Sequence, residues 1–554
     1  MMNEQPVLKI SDLHVALPKG GDRAFAVEGA TIEVHRRQIA CIVGESGSGK
    51  SITAYSVLNL LPGKALRITS GSIQVVGQEV TNLSGRDLKR LRGDRASMVF
   101  QEPLTALNPV MKVGDQIAEV LLIHRPQMRR SEVAARILSL MEDVRLPNPE
   151  TLRESYPHQL SGGQRQRVMI AMALALEPAL IIADEPTTAL DVTTQAQILK
   201  LFRDLSTKHD SGILLITHDF GVVADVADFV FVMQRGKVVE SGPPSRVLSN
   251  PSHPYTKSLI DAVPKLNLGP APERDRKTVL DIRSLELTYR TQGFLRAKRT
   301  VKALKGVSFT LGEAETIGIV GESGSGKTTL AKCLMRFETP ESGEIRFEGH
   351  DVAKLPVKAL KSFRQSVQMI FQDPYASLNG RRTVGQSLIE GPVQHGLSKK
   401  LATERAQELL ELVGLRADSF KRYPHEFSGG QRQRICIARA LAMEPKLIIA
   451  DEAVSALDVS VQAQVLNLLK DLRTRIGFSM IFITHDLRVA SNVSDRIGVM
   501  HQGELVEIGP VRRIFKEPQH DYTRRLIAAM PGGASGFELA QSEAVSTSQQ
   551  QNLG

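Results

Sequence analysis

Hydrophobic and polar positions follow three rhythms along this chain, and each predicts a different element. Across residues 6–34 apolar and polar residues alternate (Leu8, Ile10, Leu13 and Val15, then Ala26, Ile32 and Val34), the period-two pattern of antiparallel strands. Short unbroken apolar runs, Ile39-Ala40-Cys41-Ile42-Val43, Ala179-Leu180-Ile181-Ile182-Ala183 and Gly212-Ile213-Leu214-Leu215-Ile216, read instead as strands buried on both faces. Between residues 101 and 161 the spacing turns to three and four (Leu121, Ala134, Ile137, Leu138, Met141), which predicts a helical subdomain. Further elements are a helix over 50–61 ended by Pro62-Gly63, strands near 72–77 and 96–100, and a hairpin over 229–242 turning at Arg235-Gly236.

The second half repeats this order. Gln372 matches Gln101, Ser428 matches Ser161, Asp451-Glu452 matches Asp184-Glu185, and His485 matches His218; from Ser161 onward the offset holds at 267 (428−161, 451−184, 485−218). Two glycine-rich loops differ by 277 (321−44). Duplication with small length changes between the two landmarks accounts for both offsets. The predicted division is a first domain over 6–264, a Pro- and Gly-bearing linker over 265–279, a second domain over 280–530, and a disordered tail over 531–554.

Composition narrows the class. The 554 residues exceed what one core supports, and 42% hydrophobic content with mixed charge is globular. The most apolar stretch, 168–183, is interrupted by Glu177-Pro178, so no membrane span is expected. The first residues, Met-Met-Asn-Glu-Gln-Pro, lack a basic start and apolar core, so no secretory signal is expected and the cytoplasm is the default. Cys41, Cys333 and Cys436 are isolated in apolar segments and read as buried small hydrophobes. The net charge of +10 is compatible with nucleic acid, acidic lipid or polyphosphate; phosphate sites beside a membrane account for it, and no nucleic-acid partner is expected.

The chemistry centres on Gly44-Glu45-Ser46-Gly47-Ser48-Gly49-Lys50-Ser51 and its copy Gly321-Glu322-Ser323-Gly324-Ser325-Gly326-Lys327-Thr328, each between an apolar strand and a helical pattern. Glycines let successive backbone N–H groups turn toward phosphate oxygens, and the following helix presents its positive end there. Lys50 and Lys327 reach the outer phosphates of a nucleoside triphosphate, and the hydroxyls of Ser51 and Thr328 suit Mg²⁺. A strand ending in Asp184-Glu185 follows in the first half, where ligands collect at the carboxyl ends of parallel strands. The segments Ser161-Gly162-Gly163-Gln164 and Ser428-Gly429-Gly430-Gln431 open further helices suited to anions.

Taken together and in this order in both halves, these motifs resemble the ATP-binding cassette (ABC) ATPases, with two cassettes in one chain and the likeness running from about residue 6 to 530. The resemblance implies an α/β fold of two tandem P-loop, RecA-like domains, each with an antiparallel β subdomain and a helical subdomain. It implies ATP and Mg²⁺ as cofactors and a head-to-tail sandwich in which the loop of each half meets the Ser-Gly-Gly-Gln of the other. It assigns Asp184 and Asp451 to the metal, Gln101 and Gln372 to the metal and water, Glu185 and Glu452 to polarising that water, and His218 and His485 to the γ-phosphate. Tyr289 fits the family's adenine-stacking aromatic, whereas the matching first-half position is Leu17.

Within the family, Gln101-Glu102-Pro103-Leu104 and Gln372-Asp373-Pro374-Tyr375, the Tyr-Pro-His before each signature, and the segments His253-Pro254-Tyr255-Thr256 and His520-Asp521-Tyr522-Thr523 resemble the dipeptide, oligopeptide and nickel importer branch. That likeness implies two integral membrane permease subunits, a periplasmic solute-binding protein, and peripheral attachment at the cytoplasmic face of the inner membrane. Some relatives add a cysteine cluster in the C-terminal extension; three scattered cysteines predict no iron–sulfur centre here. The alternative is a soluble twin-cassette ATPase acting on ribosomes, but such proteins join their cassettes by a long, basic, helical linker, and here the joining segment is short with Pro and Gly.

Overall fold

The computed structural model describes residues 5–18, 20, 23–63, 65–188, 190–268, 276–291, 299–356, 358–455 and 457–531. The chain forms two compact units that divide between Val263 and Pro264. In the first unit, strands β1 (Leu8–Ala16), β2 (Phe25–Val34), β4 (Arg67–Val75) and β5 (Gln78–Glu79) form an antiparallel sheet in the order β2-β1-β4-β5. The alternating positions of residues 6–34 bury one side: Leu8, Ile10, Leu13 and Val15 are inaccessible to solvent.

Strands β3 (Ile39–Val43), β6 (Ala96–Val99), β7 (Leu180–Asp184), β8 (Gly212–Ile216), β9 (Phe229–Gln234) and β10 (Lys237–Gly242) build a six-stranded sheet ordered β10-β9-β3-β8-β7-β6. All its pairs are parallel except the β9–β10 hairpin. Every residue of β3, β7 and β8 is buried, as unbroken apolar runs require when both faces are covered. The register sets Asp184 opposite Ile216, Val43 opposite Val232 and Val99 opposite Ala183. The loops after these strands therefore leave at one edge, the carboxyl edge, which is where α/β sheets hold ligands.

The second unit repeats the plan with β11 (Thr278–Thr291), β12 (Arg299–Gly312), β13 (Thr316–Val320), β14 (Ser342–Phe347), β15 (His350–Asp351), β16 (Val367–Ile370), β17 (Leu447–Asp451), β18 (Ser479–Ile483), β19 (Arg496–His501) and β20 (Glu504–Pro510). Its sheets run β12-β11-β14-β15 and β16-β17-β18-β13-β19-β20. The parallel sheet separates two cores. Leu447 and Ile449 pack toward the antiparallel sheet, while Ile448 and Ala450 pack toward helices Val384–Gln394, Lys399–Leu412 and Gly429–Leu441.

Several elements differ from the sequence expectation. The helix predicted over 50–61 is Lys50–Val57: Asn59 takes a left-handed φ of 50°, and Leu60 N–H returns to Tyr55 C=O at 2.8 Å, the six-to-one closure of a helix C-terminus. Strand β11 begins at Thr278, inside the stretch read as linker. Within the same stretch Asn492 donates to Lys265 C=O (2.7 Å) and Asn267 N–H to Ser491 Oγ (3.2 Å), so its first residues are held on helix Leu487–Val493. Residues 269–275 of that stretch, and all but Pro531 of the tail read as disordered, lie outside the described residues.

Candidate functional site

The glycine-rich loops follow β3 and β13 under tight backbone constraint. Gly44 has φ +151°, and a Cβ there would sit 2.2 Å from Met233 C=O; at Gly321 (φ +153°) the same atom would sit 2.1 Å from Met500 C=O. Only glycine allows this approach. The turn of the neighbouring hairpin supports each loop from the other side, Gly236 N–H donating to Ser48 C=O (2.8 Å) and Gly503 N–H to Ser325 C=O (2.9 Å). Lys50, 5% exposed, folds over the loop and donates to Gly44 and Glu45 carbonyls (2.7 and 2.9 Å), as Lys327 does to Gly321 and Glu322 (both 2.8 Å). Ser48 Oγ and Ser325 Oγ are buried in the loops without a hydrogen-bond partner. Ser46, Gly47 and Ser323 lie on the open side, Gly47 and Gly324 having free space around their Cα atoms.

At the first helical residues the hydroxyls meet the strand-end carboxylates: Ser51 Oγ donates to Asp184 Oδ1 at 3.0 Å and Thr328 Oγ1 to Asp451 Oδ1 at 3.4 Å. Asp184 is 1% exposed and its Oδ2 makes no hydrogen bond of ordinary geometry. Burial raises both carboxyls above their usual range, Asp451 to about 6. A buried anionic oxygen beside an aliphatic hydroxyl is the donor set a hard divalent cation takes, so Ser51 with Asp184, and Thr328 with Asp451, fit Mg²⁺. Tyr55, one turn beyond Ser51, is pushed up to about 12 by burial and by the nearby Asp184 and Glu185 carboxylates.

One residue further along, Glu185 and Glu452 sit in the left-handed region with φ 45° and 47°, a conformation that costs non-glycine residues and recurs at functional sites. It turns the carboxylates out of the strand toward the loops after β6 and β8. Gln101 donates to Glu185 Oε2 (2.9 Å), Thr188 Oγ1 to the same oxygen (3.0 Å), and His218 Nδ1 lies 3.4 Å from it. In the second unit Gln372 donates to Glu452 Oε2 (2.8 Å) and His485 Nδ1 stands 3.7 Å from Oε1. Burial opposes ionisation of both glutamates, but the facing histidine together with Lys50 or Lys327 outweighs it and holds each carboxyl below its usual range.

The histidines are aimed by their flanking residues. Thr217 Oγ1 accepts from Asp219 N–H (3.0 Å) and Asp219 from Gly221 N–H (2.7 Å); Thr484 and Asp486 repeat the turn. Burial draws the His485 pKa down, but Glu452 overcomes it and raises the ring above its ordinary value.

The Ser-Gly-Gly-Gln segments cap helices Gly162–Leu174 and Gly429–Leu441 reciprocally: Ser161 N–H donates to Gln164 Oε1 (3.0 Å) and Gln164 N–H to Ser161 Oγ (3.3 Å), with Ser428 and Gln431 at 3.1 and 3.4 Å. Their second glycines permit close packing. A Cβ on Gly163 would meet Thr194 Cγ2 at 2.6 Å, and on Gly430 Val461 Cγ1 at 2.2 Å, whereas Gly162 and Gly429 face nothing nearer than 3.8 Å. Tyr289 is half-buried against the core of its sheet. Leu8 and Leu280 occupy equivalent register positions, paired with Val34 and Val75 and with Leu311 and Phe347; nine residues on from each stand Leu17 and Tyr289.

Sequence reasoning passed over the roles of four residues. Thr188 adds a hydrogen bond to Glu185, Tyr55 adjoins Asp184, and the phenolic oxygens of Tyr255 and Tyr522 each accept the N–H of the second loop residue, Glu45 or Glu322, at 3.0 Å. The tyrosines stood out in the sequence only as parts of a C-terminal motif.

Two phosphate loops, each flanked by a hydroxyl–carboxylate pair and a Gln–Glu–His cluster at the carboxyl edge of a parallel sheet, define a twin-cassette nucleotide-binding protein. The chain belongs to the ABC transporter family, whose model matches residues 27–188 and 304–455, and to its oligopeptide/dipeptide importer branch, the model of the oligopeptide/dipeptide transporter C-terminal region matching 239–281 and 506–550. It is 45% identical over 565 aligned residues to the glutathione import ATP-binding protein GsiA of Salmonella choleraesuis (strain SC-B67), covering 96% of this chain and 90% of that protein. Identity to GsiA of Escherichia coli (strain K12) is 46% over 558 aligned residues, covering 95% and 89%. Among solved structures, a dimeric ATP-binding cassette in a post-hydrolysis state with ADP and Pi aligns at 29% identity and TM-score 0.38, over 42% of this chain and 99% of its own.

Proposed function

We propose that this chain is the ATP-hydrolysing subunit of an importer for peptides or peptide-like solutes in the bacterial inner membrane, acting with two integral membrane permease subunits and a periplasmic solute-binding protein. The observation that carries the enzymatic part is the convergence of Gln101, Glu185 and His218, and of Gln372, Glu452 and His485, at the edge where the phosphate loops begin. Loop amides and the helix N-terminus receive the phosphates, and Lys50 or Lys327 exchanges its loop carbonyls for phosphate oxygens. The helix starts at Ser161 and Ser428 offer further amides to the γ-phosphate, and Tyr289 offers its ring to adenine. Ser51 with Asp184, and Thr328 with Asp451, with Gln101 or Gln372 nearby, would hold Mg²⁺, which would supply charge neutralisation at the outer phosphates.

Glu185 and Glu452 are ionised near neutral pH and orient the attacking water, with His218 and His485 beside the γ-phosphate. The glutamines link this chemistry to the protein surface. Gln372 lines a cavity of about 690 Å³ with Met335, Phe337 and Phe371, and Phe337 and Phe371 are 50% and 38% exposed. A recess that mixes these apolar side chains with Asp373 and Arg439 suits a short permease helix, and such docking would hold the chain peripherally at the cytoplasmic face; no helix among the described residues is long and apolar enough to cross a membrane. Glutathione, the solute named for the relatives, is the first to test.

The test is the double substitution Glu185→Gln with Glu452→Gln. ATP binding is expected to persist while phosphate release stops; phosphate release at the wild-type rate would remove the glutamates from the role.

A further inference from the structure

The segments around Tyr255 and Tyr522, matched by the oligopeptide/dipeptide C-terminal region, have no part in the reaction just described. We propose that these two tyrosines are positioning residues for nucleotide binding, each holding the first peptide plane of its unit's phosphate loop from the side away from lysine. The inference rests on the reading that these loops bind ATP.

Both halves of that peptide plane are held. In the first unit the peptide joining Gly44 to Glu45 accepts at its carbonyl from Lys50 Nζ (2.7 Å) and donates at its N–H to Tyr255 Oη (3.0 Å). In the second unit the peptide joining Gly321 to Glu322 accepts from Lys327 Nζ (2.8 Å) and donates to Tyr522 Oη (3.0 Å). A trans peptide points its C=O and N–H in opposite directions, so the lysine and the tyrosine grip opposite edges. When the lysine leaves for a phosphate oxygen, the grip of the tyrosine stays. Glycine at position 44 or 321 offers little resistance to peptide rotation by itself, and rotation of this first plane would shift the loop amides that follow it.

The tyrosines are built into the fold for this contact. They are 9% and 3% exposed, lie on helices Pro254–Ala262 and Asp521–Ala528, and reach back 210 and 200 residues to the loops. Buried carboxylates anchor the helix starts to the hairpins that also support the loops. Glu240 on β10 accepts from Ser252 and His253 N–H (2.7 and 3.1 Å), and Glu507 on β20 from Gln519 and His520 N–H (2.9 and 3.1 Å). His253 and His520 then cap the helices by accepting from Tyr255 and Tyr522 N–H (3.2 and 3.1 Å). Histidine, tyrosine and the buried glutamate thus share one task, and Pro254 and Asp521, which differ between the units, take no part in it.

Tyr255→Phe and Tyr522→Phe test this, because phenylalanine keeps the ring and removes the hydroxyl, and with it the acceptor of the loop amide. With N-methylanthraniloyl-ATP as probe on the full chain, each substitution is expected to weaken one class of site about five- to tenfold, the scale of an amide that loses its acceptor. The KM for ATP should rise more than kcat falls, and the nucleotide-free melting temperature should move little. Unchanged probe affinity with a lowered melting temperature would reduce the tyrosines to packing and overturn the proposal. Lys50→Ala with Lys327→Ala separates the two readings: if that variant still binds the probe, the loops are not the nucleotide sites; if it does not, and the phenylalanine variants bind normally, only the tyrosine role fails. Amide hydrogen exchange of the nucleotide-free wild-type protein needs no variant. Protection at Glu45 and Glu322 is expected, and exchange there at the unprotected rate would sink the inference.

Discussion

At the scale of single residues, the site is assembled from groups held where they would not choose to be. Glu185 and Glu452 occupy left-handed backbone and are only partly exposed as anions; Asp184 and Asp451 are almost fully buried. A non-glycine residue in that backbone region costs about 1–2 kcal/mol, and proteins keep such strain where it aims a functional group. Glu185→Gly is therefore expected to leave the fold at least as stable as wild type, with a gain of up to about 1 kcal/mol in chemical denaturation, while hydrolysis at that site is lost. Any destabilisation would mean that the Gln101 and Thr188 contacts outweigh the strain. The cysteines show the opposite economy: Cys41, Cys333 and Cys436 are buried, and burial lifts all three thiols, Cys333 to about 12 and Cys436 to about 11, which suits packing rather than chemistry.

Among the elements, two devices recur: strands whose ends are in register, and helices whose starts are capped. The cap that matters most beyond the sheet is Glu240, 7% exposed, which terminates the backbone donors ahead of helix Pro254–Ala262. Burial alone would raise its carboxyl, but the neighbouring Thr256 hydroxyl and the hydrogen bonds from the two amides prevail and hold it below the ordinary glutamate range. A depressed folded value adds stability that is present above the ordinary pKa and is lost as pH falls through the folded one. Glu240→Ala is expected to destabilise the extension by about 1–3 kcal/mol at neutral pH, the cost of stranding buried donors. Faster amide exchange confined to residues 252–262 would register it, and wild type should reproduce that pattern only under acid conditions, below the usual glutamate range. The units also differ at this scale: Tyr375 stacks under Arg432 at 4.0 Å beside the capped helix start, whereas the corresponding residue of the first unit, Leu104, has no ring to stack, although both side chains are 62% exposed.

For the whole molecule, each unit carries its own sheets and its own cores, so each is expected to respond to nucleotide through its own loop. A ligand at about a hundred times its Kd stabilises the form it binds by about 2.7 kcal/mol. With Mg-ATP on the Glu185→Gln, Glu452→Gln background, calorimetry should show both unfolding transitions moving up. Adding Lys50→Ala should cancel most of the shift of the first unit alone; an equal loss in both units would show that the two respond as one.

The sequence alone determined the element types, the duplication and the order of the chemical motifs, because strand and helix periods, glycine-rich turns and strand-terminal carboxylates are local properties written in consecutive residues. It also marked Gln101, Glu185 and His218, and their counterparts, as separate points along the chain. Their meeting was decided by tertiary structure, since β6, β7 and β8 lie side by side in register although far apart in sequence. The same holds for Thr188, whose hydroxyl reaches Glu185 only around a left-handed bend, and for Tyr255 and Tyr522, whose hydroxyls find loop amides some 200 residues away. No local period encodes such a contact: a hydrogen bond between distant segments depends on where two independently formed elements come to rest.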